Sequence, residues 1–144
     1  MQRPELVQDS EFPEEWRDDK YKFSDSRPAI CFSIDSPSGE PGEFFLRRTC
    51  TVLLKIEPYL LDAAKQILDN YTIEHFRNLG VDPSRLPAET PEAIASAIVL
   101  ESAHFTDPSG TEFELGFGVP WDVDGHEYVV EFEGGVAQYC SVNG

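Results

Sequence analysis

The clearest pattern along the chain is a series of apolar segments in its last third. Apolar and polar side chains alternate strictly over residues 113–119, which is typical of a strand with one buried face. Three further apolar segments, separated from one another by turn residues, span 98–105, 128–132 and 136–140. Two glycines at 134–135 are typical of a tight hairpin turn, so these segments predict an antiparallel meander of three or four strands.

The middle of the chain carries two helix signals. Pro58 suits a first helical turn, apolar residues follow at helical spacing, and Gly80 offers a C-terminal stop. The apolar stripe consists of Leu60, Leu61, Ala64, Ile67, Leu68 and Tyr71. The sequence Thr-Pro-Glu at residues 90–92 combines an N-cap, a proline and an acid of the first turn, which predicts a short helix to about residue 96.

Residues 44–56 fit either a strand or a helix. The strand would line one face with Phe44, Leu46, Cys50, Val52, Leu54 and Ile56, and the helix would align Phe45, Thr49, Val52, Leu53 and Ile56. We favour the helix, because the segment is longer than most strands and ordinary for a helix.

The first 27 residues are mainly polar, and we expect them to precede a single domain over residues 28–144. Tyr21 and Phe23 alternate with polar residues, which suits an edge strand with one solvated face. Residues 29–34 are more apolar and predict a second, better buried strand. Together the elements predict an α+β fold, in which two or three helices pack on one face of an antiparallel sheet of four to six strands.

Charge limits the partners that this domain can have. The chain has 27 acidic and 11 basic residues, a net charge of -16, and every lysine and arginine lies in residues 1–85. Residues 86–144 hold eleven acidic residues and no lysine or arginine. This field repels nucleic-acid phosphates and anionic lipids, so we expect neither a nucleic-acid nor a membrane partner. A basic protein partner would relieve the repulsion.

Composition also suggests a location and a role for the cysteines. No apolar run is long enough to span a membrane, and the N-terminal residues lack a signal-peptide pattern, so we expect a cytoplasmic protein. Cys31, Cys50 and Cys140 form no C-x-x-C pair. We interpret them as small buried apolar residues and expect no metal or cofactor.

The densest polar cluster lies at residues 121–127, between two predicted strands. Its carboxylates and imidazole (Asp122, Asp124 and His126) could form a metal site or an acid–base pair. A calcium-binding EF-hand loop would need a glycine where Glu127 stands, and it would join helices rather than strands. The simpler interpretation is a connecting turn with Trp121 packed on the core.

No motif for nucleophilic catalysis or phosphate binding is present, so we assign no catalytic residue. The turn instead supplies our candidate partner-binding residues. Its carboxylates would attract a basic partner, and either of its aromatic rings could anchor the contact. The candidates are Trp121, Asp122, Asp124, Glu127 and Tyr128.

The turn also resembles a family of uncharacterised bacterial α+β domains that end in a strand, a W-D-x-E-H-G turn and a hairpin. Trp121 and Asp122 match this motif, whereas Asp124 replaces its glutamate and Gly125 precedes His126. The likeness covers about residues 40–144.

The resemblance implies a helix over residues 41–56 and no established catalytic residue. Some similar acidic domains are proposed as immunity proteins encoded beside toxin genes. The leading hypothesis is therefore an acidic interaction module, of the immunity type, that binds a basic partner. The alternatives are a small hydrolase or metal-dependent enzyme that uses residues 121–127, and a structural or regulatory homo-oligomer. The sequence does not determine the oligomeric state.

Overall fold

All strands in the computed structural model, which describes residues 2–144, belong to one sheet and follow chain order from edge to edge. They are β1 (Val7–Gln8), β2 (Glu15–Tyr21), β3 (Ile30–Asp35), β4 (Val99–Phe105), β5 (Phe113–Gly118), β6 (Glu127–Glu133) and β7 (Val136–Asn143). Every neighbouring pair is antiparallel except β3 and β4, which are parallel. The predicted α+β class is confirmed. The predicted number of strands, four to six, is too low, because β1 is too short to show a periodic pattern.

Four helices connect β3 to β4 and pack against the sheet. They are α1 (Glu43–Leu54), α2 (Glu57–Asn70), α3 (Ile73–Asn78) and α4 (Pro91–Ala97), and a short 3₁₀ turn at Pro83–Arg85 precedes α4. The helix favoured over residues 44–56 is confirmed as α1. The predicted number of two or three helices is too low, because the segment from Pro58 to Gly80, which the sequence pattern predicts as one helix, is divided into α2 and α3.

Local backbone chemistry explains where the helices begin and end. Tyr71 leaves the helical conformation with φ -134° and ψ 79°, and Thr72 then caps α3 by accepting a hydrogen bond from the His75 amide at 3.2 Å. Thr90 caps α4 in the same way, since its hydroxyl accepts from the Ala93 amide at 3.2 Å. The N-cap predicted from the Thr-Pro-Glu sequence is therefore confirmed.

The core lies between the helices and the inward face of the sheet. Phe113 and Phe132 stack with centroids 4.7 Å apart, and Tyr59 of α2 packs edge-on against both rings. The predicted alternation over residues 113–119 is confirmed, because Phe113, Leu115, Phe117 and Val119 are all buried. The opposite face of the sheet carries mainly polar residues and glycines.

The N-terminal segment contributes to the same sheet. Its residues form β1 and β2, and β2 pairs with β3 in antiparallel register. Tyr21 ends β2, whereas Phe23 lies beyond the strand, and both rings are buried in the core. The segment that we expected to precede the domain thus supplies two of its seven strands.

The three cysteines form no disulfide. Cys140 is buried, and Cys31 and Cys50 are partly buried. Within residues 2–144, no helix combines the length and the hydropathy that crossing a membrane requires.

Candidate functional site

The turn between β5 and β6 is built around the carboxylate of Asp122. Its Oδ1 accepts a hydrogen bond from the Asp124 amide at 3.1 Å, and its backbone carbonyl accepts from the Gly125 amide at 3.1 Å. The Asp122 amide in turn donates to the Val119 carbonyl at 2.9 Å. These bonds fix the path of the chain from β5 into β6.

The second carboxylate oxygen of Asp122 is also occupied. Asp122 Oδ2 accepts a hydrogen bond from the Tyr128 hydroxyl at 2.6 Å and lies 3.0 Å from His126 Nδ1. The Asp122 side chain is only 6% exposed. Burial raises the pKa of its carboxyl group, but the hydrogen bonds from Tyr128 and His126 outweigh burial and hold the pKa below its usual value. Asp122 is therefore a buried structural carboxylate.

Both aromatic rings of the turn lie in the core. Trp121 is 1% exposed and packs edge-on against Phe76, while Tyr128 is 2% exposed and packs edge-on against Tyr71. Trp121 and Tyr128 are the predicted aromatic anchors for a partner, and the structure places both rings in the core, away from the surface. The interpretation of Trp121 as a core residue is confirmed.

The other two candidates remain accessible. Asp124 is exposed at the tip of the turn, and Glu127 is partly exposed at the start of β6. Burial raises the pKa of Glu127, and repulsion from Glu101 raises it further. Of the five candidate residues, Asp124 and Glu127 can therefore meet a partner, whereas Trp121, Asp122 and Tyr128 support the turn from inside.

The turn also contains three groups with metal-ligand chemistry. One donor atom from each of Asp122, Asp124 and His126 lies within 4.8 Å of the others. However, Asp122 Oδ2 and His126 Nδ1 already face each other, and Tyr128 donates to the same oxygen. A cation bound through these atoms would have to replace those hydrogen bonds. Internal hydrogen bonding thus accounts for the position of Asp122 beside His126.

A larger acidic surface lies on the open face of the sheet. The register aligns Glu114 of β5 opposite Glu131 of β6, and Glu127 lies on the same face of β6. Glu101 joins them from the irregular pairing of β4 with β5, where its carboxylate lies beside Gly118. We call these four residues the acidic face: Glu101, Glu114, Glu127 and Glu131.

Two glycines of β5 make room for these carboxylates. A Cβ added at Gly118 would overlap the Glu101 carboxylate, and one added at Gly116 would overlap the Ser102 hydroxyl and lie 3.2 Å from Glu127 Oε2. The absence of a side chain at these two glycines therefore permits the close approach of neighbouring polar side chains. The carboxylates of Glu101 and Glu127 thus fold over the bare backbone of β5.

The electrostatics of the acidic face are unfavourable within the chain. Burial raises the pKa of Glu114, nearby His104 opposes this rise, and Glu131 adds to it. His104 lies opposite Glu114 in the register, but its ring nitrogens face β3, where Nδ1 lies 2.5 Å from the Ser33 hydroxyl and Nε2 lies 3.2 Å from Asp35 Oδ1. At one end of the face, an open groove of about 210 Å³ has four glutamates in its lining: Glu112, Glu114, Glu131 and Glu133.

Comparison with known proteins assigns no relative: no family model, curated protein or solved structure matches the chain. The sequence pattern indicated the turn, including Glu127, but not the other three residues of the acidic face. The polar positions of β5 and β6 could have indicated Glu114 and Glu131, whereas Glu101 depends on the local irregularity of β4.

Proposed function

We propose that the chain is an acidic protein-interaction module that binds a basic protein partner, as an immunity-type protein would bind a cationic toxin. The observation that carries this proposal is the acidic face, whose carboxylates have no lysine or arginine beside them. In residues 2–144, the ion pairs formed by lysine and arginine are Arg3–Glu43, Arg17 with Asp9, Glu15 and Asp19, Arg27–Glu57 and Lys65–Asp62. None of them involves a carboxylate of residues 86–144.

Uncompensated carboxylates of this kind favour a cationic partner for two reasons. Their mutual repulsion destabilises the free protein, and a positively charged surface relieves that repulsion on binding. Their summed field also steers a basic protein toward the face before contact, which raises the association rate at low ionic strength. Asp124 and Glu127 extend the same field to the turn.

The groove at the end of β5 and β6 supports a protein partner over a free cation. Its glutamates lie around an open space that can receive one long side chain, and charge-assisted hydrogen bonds to lysine or arginine are stronger than neutral ones. The resemblance to acidic immunity domains points to the same class of partner.

The test begins with capture of proteins from a lysate of the source cells at 50 mM and 500 mM NaCl. We expect the captured partner to be basic and to be released by the higher salt. Its association rate is then measured with two variants of equal charge change. Glu114→Gln with Glu131→Gln removes two carboxylates from the acidic face, and Asp69→Asn with Glu74→Gln removes two from the helical side.

The face variant should associate about threefold more slowly or worse at 50 mM NaCl, and the helical variant should stay near the rate of the unmodified protein. Equal rates for the face variant and the unmodified protein would contradict the proposal. Equal slowing by both variants would mean that net charge alone acts and that the acidic face is not the binding surface.

A further inference from the structure

The last strand, β7, is an open edge of the sheet. It spans Val136–Asn143 and pairs only with β6, so one side of its backbone has no neighbouring strand. An edge strand presents a row of backbone N–H and C=O groups to which another extended chain can pair. Helix α2 packs against β7, and at the start of the strand Gln66 Nε2 donates to the Ala137 carbonyl at 3.5 Å.

The opposite edge of the sheet is protected in two ways. Residues 2–8 run beside β2, where the Glu5 amide donates to Asp18 Oδ2 at 2.9 Å and the Tyr21 hydroxyl donates to the Gln2 carbonyl at 2.8 Å. Five of the six residues Glu15–Lys20 in β2 are also charged, and these charges discourage pairing with a further chain.

Within residues 2–144, no strand flanks the outer side of β7 as residues 2–8 flank β2. None of its eight residues is charged and none is proline. Val136 and Tyr139 are 55% and 57% exposed. Charged residues and prolines are the common means by which native edge strands avoid pairing, so their absence makes β7 receptive to an added strand.

The charge next to β7 indicates the chemistry of that strand. Glu131 lies opposite Tyr139, and Glu127 and Glu133 lie at the two ends of β6. Strands are spaced by about 4.8 Å, so an added strand would lie about 10 Å from β6, close to the Debye length at 0.1 M salt. Lysine or arginine side chains on that strand could therefore reach toward these carboxylates. A second copy of the chain would instead bring another charge of -16 to the same edge.

We propose that an extended, lysine- or arginine-bearing segment of the partner adds to the sheet along β7 as an eighth strand. Its backbone pairs with the free side of β7, and its basic side chains lie on the same side of the sheet as the acidic face. This inference rests on the proposed function, because it takes the partner to be basic.

The test uses an eight-residue peptide in which lysine alternates with threonine, and a version of it with every backbone amide N-methylated. The two peptides carry the same side-chain charge, but the methylated one cannot donate backbone hydrogen bonds. At 20 mM NaCl we expect the first peptide to bind and to slow amide hydrogen exchange at least tenfold at alternate residues of β7, with no change in β1. The methylated peptide should bind at least tenfold more weakly.

Two protein variants of equal charge change locate the contact. Ser141→Lys places a charge on β7 and should weaken binding of the lysine–threonine peptide at least fivefold. Val7→Lys places the same charge on β1, at the opposite edge, and should leave the affinity within twofold of the unmodified protein.

Equal binding of the two peptides, or binding without protection of β7, would overturn strand addition and leave the proposed attraction of a basic partner standing. Absence of binding by the unmethylated peptide up to about 1 mM would also overturn strand addition. A peptide with glutamate in place of every lysine serves as the control for charge. If it binds as tightly as the lysine peptide, the proposed function fails as well.

Discussion

The hydroxyl of Tyr128 donates a 2.6 Å hydrogen bond to the carboxylate of Asp122 across the turn that joins β5 to β6. Asp122 has few other contacts with which to replace this bond, because its side chain is nearly buried. The pair links the backbone of the turn to the core through the ring of Tyr128. It gives the turn a structural role that is independent of any partner.

Replacing Tyr128 by phenylalanine should therefore destabilise the protein. The ring and its packing against Tyr71 remain, but a buried carboxylate loses one of its donors, so we expect a loss of about 1.5–3 kcal/mol in the free energy of unfolding. Urea denaturation measures this loss. The matched control, Tyr139→Phe at an exposed position, should change stability by less than about 0.5 kcal/mol. A similarly small effect of Tyr128→Phe would show that the bond contributes little.

The acidic face predicts greater stability below neutral pH. Burial raises the pKa of Glu114 and of Glu127 above the values in the unfolded chain, so their stabilising contribution is fully present below the unfolded value, about 4.3, and is lost as pH rises through the folded values. Unfolding free energy should thus increase as pH falls from 7 toward 5. Glu114→Gln should reduce that increase, whereas Glu74→Gln on α3 should not. An unchanged slope in Glu114→Gln would remove Glu114 as its source.

Salt should stabilise the free protein. The charge of -16 and the acidic face make the folded state repel itself, and raising NaCl from 0.05 to 0.5 M screens that repulsion. We expect a gain of about 1 kcal/mol, which corresponds to a rise of about 2–4 °C in melting temperature for a chain of this size. The variant Glu114→Gln with Glu131→Gln should gain less. A melting temperature that stays flat or falls would contradict strong self-repulsion.

The fold should not depend on a metal ion. Asp122 Oδ2 and His126 Nδ1 are engaged with each other, so we expect melting temperatures within about 2 °C of one another with chelator, with added calcium and with added zinc. A fall of about 5 °C or more with chelator, or a similar rise with either ion, would contradict this expectation. Asp124→Asn would then show whether the turn binds the ion, because this change should abolish the shift.

Local patterns in the sequence predict much of the fold. The alternation over residues 113–119, the glycines at 134–135 and the cap at Thr90 each act over a few residues, and the structure confirms the elements that they predict. The break between α2 and α3 is harder to read, because the apolar stripe continues through Tyr71. The parallel pairing of β3 with β4 depends on contacts between distant segments, which a local pattern does not specify.

The candidate site is less predictable for a physical reason. An aromatic residue beside carboxylates can lie in the core or on the surface, and the sequence of the turn does not distinguish the two. The hydrogen bond from Tyr128 to Asp122 forms only because the turn folds back on β6. The acidic face likewise requires the register of three strands, so its residues cannot be grouped from sequence spacing alone.

The parallel pair of β3 and β4 affects the order in which the chain can fold. The intervening residues 36–98 contain all four helices, so joining β3 to β4 closes a long loop, whereas each hairpin from β4 to β7 closes a short one. During synthesis β3 emerges well before β4. β3 can pair with β2 on one edge as soon as it is made, but its other edge must wait for β4, and its buried residues Phe32 and Ile34 must wait for the helices. The nascent chain therefore passes through a stage in which one edge and the apolar face of β3 are open, which a chaperone could shield.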